Sequence, residues 1–223
     1  MICEGAGRRR GNFTSKRKPA GMPAVANVRI KYELPEDRLA SAAEIYYEAF
    51  SGKMRFLVKS KAKGMQLAKD MLSTKHCLYA EMDSECVGIA GLRFGKYSKR
   101  KSAWGIFIRH SGLFRGVSAH LASILLDRKV DPGEMRIDTL AVKSSRRGRG
   151  IGTALLRRAF RMAKENNLRK IVLEVVEENT DARRLYEREG YAPVETLRYP
   201  ILGRWMGYSG STLMEKEINR RKR

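Results

Sequence analysis

At 223 residues the chain is long enough for one well-filled domain with extensions. A hydrophobic content of 43% is ordinary for a globular protein, no run of about 18 apolar residues predicts a membrane-spanning helix, and the N-terminus lacks the apolar stretch of a secretory signal. Lys and Arg number 46 against 24 Asp and Glu, a net charge of +22, which favours an anionic partner and disfavours a polycationic substrate.

Residues 1–26 carry six Lys/Arg against Glu4 alone and read as a disordered basic arm, although Met22 begins a plausible shorter chain. "VRIKYEL" (28–34) alternates as a half-buried strand. Pro35 then opens a helix with Glu36 and Asp37 in its first turn and Leu39, Ala42, Ala43, Tyr46 and Phe50 at helical spacing. A basic helix follows at about 54–72. "CLYAEMDSECVGIAGLRF" (77–94) predicts a hairpin turning at Asp83-Ser84.

An insert at 95–133 is expected to hold a strand at "SAWGIFI" and a helix at 113–129, ended by Asp131-Pro132-Gly133. Between 86 and 126 lie seven Lys/Arg and no acid, either a contact for an anionic partner or a solvated surface. Then come a strand at 135–142, a helix at 150–166, an apolar strand at 170–176 and a helix at about 180–189 that stops on Gly190. The chain reads as irregular from there to "STLMEKEI" (211–218), an expected edge strand, and closes on the basic tail 220–223. A strand, helix and strand across 135–176 make a βαβ unit, hence a partly parallel sheet. The hairpin makes the sheet mixed, and one α/β domain spans 27–219.

"SSRRGRGIGTALL" (144–156) places three glycines where a helix should begin. Helix N-termini carry unpaired N–H groups and partial positive charge, and glycines let consecutive N–H groups converge on one oxygen. The turn is therefore an anion site, most naturally for phosphate. It lacks the lysine of the ATP-binding loop and the last interval of the dinucleotide fingerprint. Cys3, Cys77 and Cys86 are too few and scattered for a disulfide framework or a metal site and read as reduced thiols of a cytoplasmic protein. His76, His110 and His120 are not spaced as ligands either. Ser144, Ser145 and Thr153 read as turn and cap residues rather than nucleophiles.

The pattern R-x-x-G-x-G, as Arg147, Gly150 and Gly152, resembles the acetyl-CoA signature of the GNAT superfamily of N-acetyltransferases. The resemblance extends through "LEVVEENTDARRLYEREGY" (173–191) and covers 135–191 closely. It implies a GNAT-like fold with a βαβ acetyl-CoA-binding half, acetyl-CoA as co-substrate without a metal, and direct transfer of the acetyl group to a primary amine. It also assigns backbone groups of Leu140, Ala141 and Val142 to the pantetheine arm, with the Leu140 N–H facing the acetyl carbonyl. The N–H groups of Gly148, Arg149, Gly150, Ile151, Gly152 and Thr153 fall to the pyrophosphate, with Arg147 and Arg149 at the rim.

An alkyl ammonium with a pKa near 10 must lose a proton before it attacks. Glu174 interrupts an apolar strand, where desolvation would push a carboxylate toward neutrality. It is the favoured base, unless it simply bridges to a nearby Arg. Glu134 and Asp138, each two residues from Arg136, are the alternatives. Tyr186 resembles the family's tyrosine that returns a proton to the thiolate, or else is a buried aromatic. Asn179 resembles a cofactor contact and is also suited to cap the next helix. The spacing from Glu174 to Asn179 and Tyr186 resembles the branch that acetylates ribosomal-protein N-termini, so a protein N-terminus or lysine is the favoured acceptor. A small-molecule amine, or a nucleic-acid or ribosome-binding role through the basic arm, is the alternative.

Overall fold

The computed structural model describes residues 27–57, 60–94, 106, 130–199 and 209–218. Strand β1 (Arg29–Tyr32) leads through a single 3-10 turn (Glu36–Arg38) into α1 (Leu39–Leu57), and α2 is Lys61–Met71. The hairpin strands are β2 (Cys77–Met82) and β3 (Glu85–Phe94). Next are β4 (Glu134–Val142), a second 3-10 turn (Ser144–Arg146), α3 (Ile151–Glu165), β5 (Lys170–Val176) and α4 (Thr180–Arg188). The antiparallel pair β6 (Ala192–Arg198) and β7 (Gly210–Glu217) completes the described chain. None of the described helices is long and apolar enough to cross a membrane.

These strands form one mixed sheet of order β1-β2-β3-β4-β5-β7-β6, in which only β4 and β5 run parallel. The fold is thus α/β, with a right-handed βαβ crossover expected of β4-α3-β5. One face of the sheet packs on α3, whose Ile151, Leu155, Leu156, Ala159, Met162 and Ala163 are all buried on one stripe. Burying each Leu or Ile there contributes about 1.5–3 kcal/mol. The other face packs on α1 and α2 through Ala42, Ala43, Ile45, Leu67 and Ala68, against Tyr79, Ile89 and Ala141.

Several expectations change. The first two helices divide at Ser60, whose hydroxyl accepts from the Lys63 N–H at 3.2 Å and caps α2, so the basic helix starts later than its charge pattern predicts. The stretch after Gly190 is not irregular but holds β6. Strand β7 is not an edge: it lies between β5 and β6, with Ser211, Thr212 and Met214 buried. The edge is β6, whose residues are almost all exposed, so no apolar alternation marks it. Pro193, which has no N–H to donate, sits at a register shift there. The basic arm, the 113–129 helix and the basic tail lie outside the described residues. So does the "SAWGIFI" strand except at Ile106, which is helical and packs against the α1–α2 cluster.

Candidate active site

Strands β4 and β5 pair from Glu134↔Lys170 to Ile137↔Leu173 and then part. The parting coincides with a bulge: Leu92 faces Ile137 and Gly91 faces Thr139, which leaves Asp138 as an extra residue on β4. Beyond it the antiparallel ladder to β3 resumes, and the Lys143 N–H donates to the Val87 carbonyl at 3.0 Å. The two-residue alternation of that ladder turns the backbone of Ala141 toward β3 and those of Leu140 and Val142 toward the opening. Arg147 already reaches one of these groups, its Nε donating to the Val142 carbonyl at 3.3 Å.

The glycine-rich turn stands at the end of this open edge. Gly148 and Gly150 have φ of +74° and +79°, a backbone region that side chains with a Cβ rarely adopt. Gly152 is closely approached instead: a Cβ there would lie 3.1 Å from Leu185 Cδ2, so the leucine side chain of α4 would have to shift by a few tenths of an ångström. The first backbone hydrogen bond into α3 runs from the Ala154 N–H to the Gly150 carbonyl at 2.9 Å. The six N–H groups from Gly148 to Thr153 therefore find no acceptor among the described residues. Ile151 and Thr153 are buried, while Arg147 and Arg149 are exposed at the rim. A row of free donors at a helix N-terminus, flanked by two guanidinium groups, fits a diphosphate.

Glu174 is the first residue of β5 beyond the parting point. Its Oε2 accepts from Arg136 Nη2 at 2.8 Å, and its Oε1 accepts from the Ser211 hydroxyl. Tyr199 Oη lies 2.8 Å from Ser211 Oγ and 3.5 Å from the same carboxylate oxygen. The apolar run around Glu174 suggests desolvation, but its immediate partners are a guanidinium and hydroxyls. The bridge to a nearby arginine is present. Asp138 is held more fully, by Arg93 Nε at 2.5 Å and Arg136 Nε at 3.1 Å. Glu134 pairs with Lys170 at 2.9 Å, six residues and roughly 20 Å of strand from Leu140, too far to reach an acyl group held there. Arg136, buried and bonded to both Asp138 and Glu174, is the centre of this cluster.

Tyr186 is buried on α4, with its ring 6.1 Å from that of Tyr191, and its hydroxyl has no partner among the described residues. Burial pushes that hydroxyl up to about 12. Asn179 caps α4, its Oδ1 accepting from the Ala182 N–H at 3.2 Å. Cys77 and Cys86 are free, buried and raised by desolvation to about 12 and about 11 respectively, so neither is an activated nucleophile. Among the described residues no group of His, Cys, Asp and Glu is arranged to hold a metal. Sequence reasoning missed Tyr199 and Ser211. A lone hydroxyl residue in a strand gives no signal until the sheet order brings it beside Glu174.

A model of the acetyltransferase (GNAT) family matches residues 39–191. The chain belongs to that family and is an N-acetyltransferase, of a family that takes its acetyl group from acetyl-CoA. Solved structures share the fold. An N-acetyltransferase from Staphylococcus aureus Mu50 superposes with a TM-score of 0.63 at 21% identity, over 84% of this chain and 100% of that one. A structure described as an acetyltransferase gives 0.61 at 23%, over 86% and 100%. The ribosomal-protein-S18-alanine N-acetyltransferase from Escherichia coli gives 0.54 at 16%, over 87% and 96%. No curated protein sequence matches.

Proposed function

We propose that the chain moves an acetyl group directly from acetyl-CoA to the amine of a protein or peptide in the cytoplasm. The observation that carries this reading is the open edge of β4 running into six unpaired N–H groups. Bound there, acetyl-CoA supplies the activated thioester. The N–H groups of Gly148 through Thr153 hold its diphosphate, with Arg147 and Arg149 adding charge at the rim. Leu140 and Val142 offer backbone groups to the pantetheine arm, and Ala141 supports them from the β3 side of the strand. The Leu140 N–H is the donor for the acetyl oxygen, a kind of contact worth about 3 kcal/mol when removed from other enzymes.

Glu174 receives the acceptor's ammonium and takes one proton before the neutral amine attacks the thioester carbonyl. As the C–S bond of the tetrahedral intermediate breaks, nitrogen loses its second proton to solvent, which reprotonates the Tyr186 phenolate. Arg136 fixes one carboxylate oxygen and leaves the other toward Ser211 and Tyr199. Tyr186 protonates the leaving sulfur, a role for which a hydroxyl with no competing partner is suited. Asn179 orients α4 through its cap and stands beside the arm. The buried, unactivated thiols support direct transfer over an acyl-enzyme.

The acceptor class rests on the spacing of Glu174, Asn179 and Tyr186. The presence of a ribosomal-protein alanine acetyltransferase among proteins of this fold is in keeping with it. A screen of peptides with varied N-termini, internal lysines and small amines, read by release of CoA thiol, tests the assignment. Turnover of peptides ahead of small amines is expected. Turnover of small amines with none of peptides would replace this reading by the small-molecule one.

A further inference from the structure

The turn before the glycines is tied to α1. The Ser144 N–H donates to Glu48 Oε2 at 3.2 Å, and the Ser144 hydroxyl donates to Glu48 Oε1 at 2.6 Å, across 96 residues of sequence. On the other side Lys143 bonds Glu85, and Arg146 lies 3.9 Å from the same carboxylate. The segment is thus staked from α1 and from the start of β3 just before the backbone enters Gly148 and Gly150. Beyond the glycines, Ile151 and Leu155 anchor α3 in the core.

This arrangement answers a physical difficulty. A turn with three glycines has many conformations to lose, and a ligand that must order it binds more weakly. A carboxylate beside an anion site also repels the anion. Here Glu48 is engaged by both donors of Ser144, which together hold its carboxyl below the usual glutamate range, and Lys143 and Arg147 add favourable charge around it. Both oxygens of the Glu48 carboxylate are thus taken up by Ser144. The cations Lys143, Arg146 and Arg147 stand around the carboxylates Glu48 and Glu85, which limits the repulsion felt by an anion in the turn.

We propose that Glu48 is a positioning residue for acetyl-CoA, which holds the entry of the glycine-rich turn through Ser144 so that its N–H groups meet the diphosphate already arranged. The inference rests on the reading of that turn as the acetyl-CoA cradle. Its test is calorimetric titration of acetyl-CoA into the full chain, Glu48→Ala, Ser144→Ala and the double variant, with steady-state rates beside it. Glu48→Ala should raise Kd and KM for acetyl-CoA about tenfold, as expected for losing two charge-assisted hydrogen bonds, with kcat at saturation little changed. Ser144→Ala, which keeps the N–H bond, should weaken binding less. The double variant should be no weaker than Glu48→Ala, because both act through one contact.

Unchanged or tighter binding by Glu48→Ala, or additive losses in the double variant, would overturn the proposal. Ser144→Ala is an exposed change and keeps the test open should Glu48→Ala fail to fold: unchanged affinity in it, too, counts against the latch. Absence of binding by the wild-type chain would instead overturn the cradle itself, and the two failures are distinct.

Discussion

Tyr186 illustrates how one position combines packing and chemistry. Its ring belongs to the core shared by α3, α4 and the sheet, while its hydroxyl has no partner among the described residues. Replacing it by Phe keeps the ring and removes only the donor. Tyr186→Phe should therefore lower kcat about 10²-fold, the usual contribution of a positioned acid, while acetyl-CoA affinity changes little. Equal turnover in the two proteins would remove Tyr186 from the mechanism. The same burial has a consequence for stability. The hydroxyl ionises near 10 when exposed and at about 12 when folded, so its contribution is intact below pH 10 and is lost as pH rises toward 12. Stability measured by urea should fall by about 1.4 kcal/mol per pH unit through that window for this group, and less steeply in Tyr186→Phe.

Between elements, the parting of β4 and β5 makes the site, and Arg136 spans it. One buried guanidinium bonds Asp138 on its own strand and Glu174 on the next, while both carboxylates keep some contact with solvent. Arg136→Met fills similar volume but leaves Glu174 with hydroxyl partners and solvent, while Asp138 keeps Arg93. It should lower unfolding free energy by about 1–2 kcal/mol, below the cost of stranding a fully buried charge. A chemical-denaturation midpoint unchanged from wild type would show that the pair holds nothing together.

The elements that sequence reasoning located best are β4, α3, β5 and α4, because each carries a local signal. The buried stripe of α3 repeats at helical spacing, β5 is an apolar run, and Gly190 ends α4 at φ +84°. Strand β6 carries no such signal, since it is held by pairing with β7 rather than by burial. The position of β7 inside the sheet is set by its pairing along all of β5, a contact between distant segments that its own Glu-Lys-Glu pattern hides. The site divides the same way. The glycine turn and the Glu174-to-Tyr186 motif are contiguous and legible. Arg93, Tyr199, Ser211 and Glu48 join the site only through contacts 25 or more residues apart in sequence.

At the scale of the molecule, helices cover both faces of one sheet and the opening lies at the carboxyl end of the parallel pair β4 and β5. The proposed direct transfer has donor and acceptor meet in one cleft, and neither Cys77 nor Cys86, the thiols among the described residues, is poised to carry the acetyl group between them. Initial rates against both substrates should give intersecting lines. Parallel lines, the sign of an acyl-enzyme, would exclude direct transfer.

The central claim is that the turn at 148–153 holds acetyl-CoA, and its most direct test is titration of acetyl-CoA into wild type, Gly150→Val and Gly91→Ala. Gly91 offers a control, since a Cβ there meets Thr139 at an ordinary 3.5 Å. A valine at φ +79° instead strains or reshapes the turn, at a cost of about 1–2 kcal/mol. One acetyl-CoA should bind per chain, unchanged in Gly91→Ala and about five- to thirtyfold weaker in Gly150→Val. Equal affinity in all three proteins, or none in wild type, would contradict the account.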